Sequence, residues 1–417
     1  MTAPASALID PDLALQRLLA AARPIVETDT LPISAALGRV LAQDVRSSID
    51  VPPADNTAMD GYALRSSDVS AVGVRLPVSQ RIPAGALPLP LQAGTAARIF
   101  TGGFIPPGAD AVVMQEQCTV EGDAVCINTQ PKPGDWVRRR GLDVEAGSVV
   151  LSAGQRLRPQ DLGLAASVGV AALTVRRRPR VAILFTGDEL AMPGEPLRPG
   201  AIYNSNRFVI QALLQAAGCE VTDFGIVPDR IDATRAVLRQ AAQQHDLIVS
   251  TGGMSVGEED HVKPAVQAEG ALDLWQIAMK PGKPLAYGLV RREAGQGEGV
   301  QGAVAAFIGL PGNPVSSFVT FLLFVRPYLL ALQGVAQTAR VSQPVIAAFD
   351  WPRPDKRREY LRVRLNAQGE AELFPSQNAA VLTSTVWADG LVDNPPQHPI
   401  QRGDTVRYLP FSSLLQG

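Results

Sequence analysis

The densest chemistry in the chain lies in Asp246–His261, DLIVSTGGMSVGEEDH. Leu247, Ile248 and Val249 are a short β-branched, apolar run that suits a buried strand. The turn Ser250-Thr251-Gly252-Gly253 follows directly, and its two glycines let the backbone bend tightly and aim N–H groups at an anion. Glu258, Glu259 and Asp260 then set three carboxylates beside those amides. Anion-binding amides and carboxylates compete unless a divalent cation bridges them, so the pair points to phosphate plus magnesium. The plainer reading is a glycine turn before a helix whose first turn is acidic, which the helix dipole favours.

Similar clusters recur. Thr186-Gly187-Asp188-Glu189 follows the apolar run RVAILF, Pro228-Asp229 follows EVTDFGIV, and Leu310-Pro311-Gly312-Asn313-Pro314 follows AVAAFIG and opens an apolar helix. In a doubly wound α/β sheet, ligands bind at the carboxyl ends of the strands. One such turn is ordinary loop chemistry; four on one edge make a ligand site. Lys280-Pro281-Gly282-Lys283-Pro284 adds two lysines in a loop stiffened by proline, suited to phosphate or another oxyanion. Outside this region, Asp55–Ala63 (DNTAMDGYA) and Thr101-Gly102-Gly103 are polar clusters that, taken singly, read first as turns. The run Arg138-Arg139-Arg140-Gly141-Leu142-Asp143 suits a salt-bridged face better than a clamp. The three histidines are scattered, and no Walker A pattern occurs.

The elements that must position these residues follow from periodicity. Pro11–Ala22 has helical spacing behind Asp10, a good N-cap, and Ala35–Gln43 reads as a second short helix. Residues 51–137 form short β-like runs broken by Pro and Gly, a small all-β module, and Gln160–Ser167 reads as a helix. From Arg180 to Leu330 strand and helix alternate: SNRFVIQALLQAAG is a helix ending at Gly218, and DATRAVLRQAAQQ a helix capped by Asp232. PLAYGLV and AVAAFIG are strands, and PVSSFVTFLLFVRPYLL is a long apolar helix. The expected class is a doubly wound α/β domain, flanked by β structure. Residues 331–417 return to short β runs, TVWADGLVDN among them, and fit a small barrel or sandwich.

Composition narrows the function classes. With 417 residues, 46% of them hydrophobic, the chain can bury several cores. A formal charge of −2 offers no basic field for nucleic acid. Three cysteines lack C-x-x-C spacing, which disfavours a disulfide frame or zinc site. The N-terminus has no signal-peptide pattern, and the most apolar run, Val315–Leu332, is interrupted by Ser316, Ser317, Thr320, Arg326 and Pro327. The expectation is a cytoplasmic protein without membrane or nucleic-acid contact.

DNTAMDGYA, TGG-x-x-P-x-GADAVV, RRRG-x-D, TGDEL, STGGMSVGEEDH, KPGKP and LPGNP, in this order, resemble the molybdopterin molybdenumtransferase family, which includes the C-terminal domain of gephyrin. The resemblance implies four parts: an elongated linker and dimerisation domain (1–50 and 138–178), an inserted β module (51–137), an α/β molybdopterin-binding domain (179–330) and a C-terminal β-barrel-like domain (331–417). It implies the last step of molybdenum cofactor synthesis, in which molybdenum from molybdate enters adenylylated molybdopterin, with Mg2+, and AMP and the cofactor are released. Carried over by motif, Asp60, Thr101, Glu189, Asp229 and Asp260 are implied as catalytic. Asp143, Thr251, Gly252, Gly253, Ser255, Lys280, Lys283, Pro311, Gly312 and Asn313 are implied in substrate binding. Asp188, Glu189, Asp229 and Asp260 are the implied magnesium and acid–base set, undivided between the two tasks. The resemblance also implies a homodimer whose sites are shared between protomers, and contact with a molybdopterin adenylyltransferase. The chain departs from the family at Ser376–Ala380, where a Gly-Ser turn is common, and at Glu258, where Asp is common. The other readings are nucleotidyl transfer, which would consume ATP, and a non-enzymatic scaffold; the DNTAMDGYA module disfavours the first and the lack of a long linker the second.

Overall fold

The computed structural model describes residues 8–253, 261–292 and 304–416. Two compact units divide the chain: Thr30–Leu37 with Leu41–Val175, and the remainder, Met1–Asp29, Gly38–Val40 and Arg176–Gly417. Helix α1, Pro11–Ala21, belongs to the larger unit and is capped as expected, the Asp10 carboxylate accepting from the amides of Asp12 and Leu13.

In the smaller unit, strands β1 (Gly61–Leu64), β2 (Val74–Ile82), β3 (Ala96–Ile99), β4 (Ala111–Met114), β5 (Cys118–Glu121) and β6 (Ala124–Ile127) form one sheet in the order β4-β1-β3-β2-β6-β5. This is the all-β module the turn-rich sequence predicts. Gly61 is required where β1 meets β4, because a Cβ there would lie 2.0 Å from the carbonyl oxygen of Val113. A separate core of Ala36, Leu41, Val45, Leu151, Leu157, Ala165, Leu173 and Val175 forms around helix α2, Pro159–Ser167. No α-helix spans 35–43. A 3-10 turn ends at Ala35, Gly38 takes φ 72°, and Leu41 bridges to Val175 in extended backbone. The left-handed glycine breaks the periodicity that suggested a helix.

The larger unit is built on six strands: β7 (Arg180–Thr186), β8 (Glu220–Val227), β9 (Leu247–Thr251), β10 (Gly270–Gln276), β12 (Pro284–Arg291) and β13 (Val304–Leu310). Their order is β8-β7-β9-β13-β12-β10. The first four run parallel, and β12 is antiparallel to both β13 and β10. Strand β7 shows why two layers of helices are needed. Val181, Ile183 and Phe185 enter one core with helix α3 (Ser205–Ala216), while Ala182 and Leu184 enter another with helices α4 (Ile231–Gln244) and α5 (Val262–Glu269). Asn204 caps α3, and its end is a Schellman turn: Gly218, at φ 83°, and Cys219 donate back to Gln215 and Leu214. The cap of α4 differs from expectation: Arg230 holds the N-cap position without a side-chain bond, and Asp232 lies inside the first turn.

Helix α6, Pro314–Leu332, has the length and mean hydropathy (1.8) of a membrane span, but 89% of it is buried inside the fold. It is the core helix of the sheet's first face. The C-terminal sheet joins β11 (Met279–Lys280), β14 (Gln343–Ile346), β15 (Arg358–Leu365), β16 (Ala371–Leu373), β17 (Gly390–Asn394) and β18 (Thr405–Pro410) in the order β11-β15-β17-β18-β14, with β16 on β15. The segment TVW, expected in a β run, instead ends a short helix, α7, Thr383–Trp387, and a last helix, α8, Phe411–Gln416, packs Phe411 and Leu414 into the first core.

Candidate functional site

Parallel pairing puts the ends of β7, β8, β9 and β13 on one edge, so the turns at Asp188–Glu189, Asp229, Gly252–Gly253 and Pro311–Asn313 share it. Antiparallel β12 starts on that same edge, since Ala286 pairs with Gly309, and β10 ends there, since Gln276 pairs with Pro284. The Lys280–Lys283 loop therefore emerges beside the strand-end turns. Its position is fixed a second time by the C-terminal sheet, where Lys280 pairs with Glu359 across β11 and β15.

Gly252 and Gly312 form the floor. A Cβ on Gly252 would sit 2.6 Å from the carbonyl oxygen of Thr186 and its φ is 88°, so only glycine brings these strand ends together without strain. Helix α6 begins on this floor. Asn313 occupies the N-cap without a side-chain cap bond and Pro314 follows it, while Asn206 holds the Gly312 carbonyl at 2.7 Å. The Val315 amide is already taken by the Ala379 carbonyl at 3.1 Å, so what this N-terminus offers an anion is chiefly the positive end of the helix dipole.

Two clefts open on either side of the floor and share Gly252, Gly312 and Asn313. The first, of about 560 Å³, is lined by Gly253, Lys280, Lys283, Pro311, Ser316, Arg357, Gln377 and Asn378 among others, and among the described residues that line it none is a carboxylate. Its three cations differ. Lys280 Nζ lies 3.3 Å from the buried Glu359 and 3.6 Å from Asp355. Arg357 forms two 3.0 Å bonds to Asp355, and that guanidinium holds the Asp355 carboxyl well below its ordinary range against the opposing effect of burial. Lys283 is exposed and makes no ion pair among the described residues. Geometry of this kind suits a compact, multiply charged oxyanion.

The second cleft, of about 630 Å³, is lined by Thr186, Glu189, Tyr203, Asn204, Ser205, Asn206, Thr251 and Leu382 among others. The Glu189 carboxylate folds back over Gly187, where a Cβ would meet it at 2.6 Å. Asp188 adjoins it, exposed, with its carbonyl accepting from Arg198 at 3.3 Å. Asp229 stands on the same sheet edge, after the outer strand β8, and lines neither cleft. Among the described residues no three of His, Cys, Asp and Glu gather as a group that could hold a metal ion. Ser255, Glu258, Glu259 and Asp260 lie outside the described residues.

The smaller unit carries the other expected residues. Asp60, which precedes β1, accepts from the Thr101 amide at 2.8 Å and from its hydroxyl at 2.7 Å. Those bonds, with a lesser contribution from Arg98, lower the Asp60 pKa. Two clusters that read as separate turns are thus one unit. Asp143 is exposed. The arginine run is salt-bridged as its composition suggests: Arg139 pairs with Asp55 at 2.7 Å and Arg140 with Asp50.

Sequence reasoning passed over Arg357 and Gln377. Arg357 sits in the basic run KRR, and only the β11–β15 pairing, which joins positions 79 residues apart, reveals its place beside Lys280.

Comparison with known proteins agrees with this arrangement. Residues 9–169 match the MoeA N-terminal region (domain I and II), 182–331 a probable molybdopterin binding domain, and 344–411 the MoeA C-terminal region (domain IV). The chain is 38% identical over 400 residues to a molybdopterin molybdenumtransferase of Haemophilus influenzae, covering 93% of this chain and 95% of that one. It is 37% identical over 390 residues to molybdopterin molybdenumtransferase 2 of Mycobacterium tuberculosis, with 91% and 92% covered. The crystal structure of the molybdopterin biosynthesis moeA protein from Pyrococcus horikoshii superposes with a TM-score of 0.83 at 29% identity, covering 97% of this chain and 100% of that one. With all three regions matched in order and relatives aligned nearly end to end, the chain belongs to the molybdopterin molybdenumtransferase family.

Proposed function

We propose that this chain inserts molybdenum from molybdate into adenylylated molybdopterin and releases AMP, at the paired clefts on the sheet edge. The observation that carries the assignment is the division of charge across one glycine floor. Lys280, Lys283 and Arg357 line one side, and Glu189 lines the other. Molybdate, a tetrahedral dianion, enters the cation-lined cleft, where lysine and arginine donors compensate its charge. The adenylylated substrate lies across the Gly252–Gly312 floor, its phosphates toward the amides of Gly252 and Gly253 and the α6 N-terminus. Holding the two substrates side by side lowers the entropic part of the barrier.

The donor set fits Mg2+, which binds through one or two carboxylates and retains waters and substrate phosphate oxygens. Asp188 and Glu189 would hold it, and when bound it supplies charge neutralisation at the pyrophosphoryl link. The chain would act in the cytoplasm as a homodimer, with the Asp60–Thr101 pair of one protomer completing the site of the other, and receive its substrate from a molybdopterin adenylyltransferase. Purified protein incubated with adenylylated molybdopterin, Mg2+ and molybdate tests the assignment. AMP release that depends on molybdate is expected. AMP release independent of molybdate, or none, would overturn it.

A further inference from the structure

Among the described residues Arg362, on β15, is the largest fully buried side chain, 1% exposed, and no carboxylate pairs with it. Burial alone pushes its pKa down to about 10. An unpaired cation in a protein interior is expensive, and an apolar side chain of similar size would ordinarily serve better there. The guanidinium is instead spent on neutral oxygens. It donates to Ser384 Oγ at 3.2 Å, to the Tyr360 carbonyl at 3.3 Å, and through one nitrogen to the carbonyls of Ser376 at 3.5 Å and Asn378 at 3.3 Å.

Those last two carbonyls belong to the loop Ser376–Ala380, whose Gln377, Asn378 and Ala379 wall the cation-lined cleft. The backbone of Arg362 holds the same loop from its other side. Its amide donates to Gln377 Oε1 at 2.9 Å, and its carbonyl accepts from Gln377 Nε2 at 3.1 Å. The Ala379 carbonyl in turn accepts from the Val315 amide at 3.1 Å, which ties the loop to the first turn of α6. The loop lies between helices and strands without being part of either, so these bonds set its shape.

We propose that Arg362 is a positioning residue for the cation-lined cleft: by fixing the Ser376–Ala380 loop it shapes the wall against which the oxyanion is held, without touching substrate. The inference rests on the molybdate assignment made above for its kinetic consequence, but not for its structural one. The unpaired charge adds a second effect, because a buried cation behind the wall contributes positive potential to the cleft at short range.

The test compares wild type with Arg362→Met, Arg362→Lys and Gln377→Ala. Hydrogen exchange is followed by mass spectrometry on peptides spanning 374–384, and KM for molybdate and kcat are measured from AMP release. In Arg362→Met, exchange in the loop is expected to quicken while the α/β sheet keeps its protection. KM for molybdate should rise on the order of tenfold with kcat changed less than about threefold, the pattern of lost binding rather than lost chemistry. Arg362→Lys, which retains the charge but cannot span the same oxygens, should fall between the two. Gln377→Ala loosens the loop without removing a buried charge and should move KM and exchange in the same direction, so it carries the test if Arg362→Met does not fold. Unchanged loop exchange and unchanged KM in Arg362→Met and Gln377→Ala would overturn the proposal, as would a fall in kcat with KM and exchange unaltered. A wild-type protein without molybdate-dependent AMP release would refute the assigned reaction instead, and the exchange data would still decide whether Arg362 orders the loop.

Discussion

The two lysines of the Lys280–Lys283 loop, equivalent in sequence, are unequal in the structure. Lys280 compensates Glu359, which is 1% exposed and otherwise bonded to Trp351 Nε1 and the Asp355 amide. Lys280→Ala would therefore leave a buried carboxylate short of its cation, and stability should fall along with binding. Lys283→Ala removes only a donor from the cleft. It should weaken molybdate binding by about 1–3 kcal/mol, as for a hydrogen bond to a charged group, with an unchanged melting temperature; isothermal titration and a thermal melt together check this. Asp355 gives the pH dependence. Its folded pKa lies below the ordinary 3.8, so its contribution to stability is full above that value and is lost as pH falls through the lower folded value. Asp355→Asn should lower the melting temperature at neutral pH and flatten its decline in acid, as followed by melts from pH 7 to pH 2.

At the scale of elements, the turns were legible and the pairings were not. Strand ends rich in Gly, Asp and Thr announced Gly252, Glu189 and Asn313 because each turn's chemistry is local. Strand β10 went unread since it follows α5 without a linker, starting at Gly270, where a Cβ would lie 1.8 Å from the carbonyl oxygen of Leu289. A glycine there looks like a break, whereas it permits close strand approach. Arg357, Gln377 and Arg362 acquire their places from sheet pairings and loop contacts distant in sequence, which no periodicity encodes. The floor supplies the sharpest test at this scale. Gly252→Ala forces a Cβ against the Thr186 carbonyl at a left-handed φ, and should destabilise by roughly 1–3 kcal/mol in denaturant unfolding. Because both clefts share this residue, AMP release should fall further than stability alone explains.

For the whole molecule, the motif order in the sequence was sufficient to name the family, and the three matched regions agree with it. Asp60 and Thr101 belong to one compact unit, and Glu189, Lys280 and Arg357 to the other. Asp60→Ala and Glu189→Gln chains should each be inactive. If sites are shared across a dimer, mixing the two and allowing exchange regenerates one intact site per mixed pair, and activity should return to about a quarter of its normal level or less, as random pairing of equal amounts dictates. Subunit exchange verified by mass spectrometry with no recovery would contradict the shared site and leave the residue assignments intact.

The account turns on where the oxyanion binds, and the anomalous signal of molybdenum locates it directly. Crystals soaked in molybdate, with data collected at the molybdenum edge, should show one dominant peak in the cleft bounded by Lys280, Lys283 and Arg357, and the peak should vanish in the Lys283→Ala, Arg357→Ala double variant. A dominant peak beside Glu189 and Asn204, or one that persists at full height in the double variant, would contradict it.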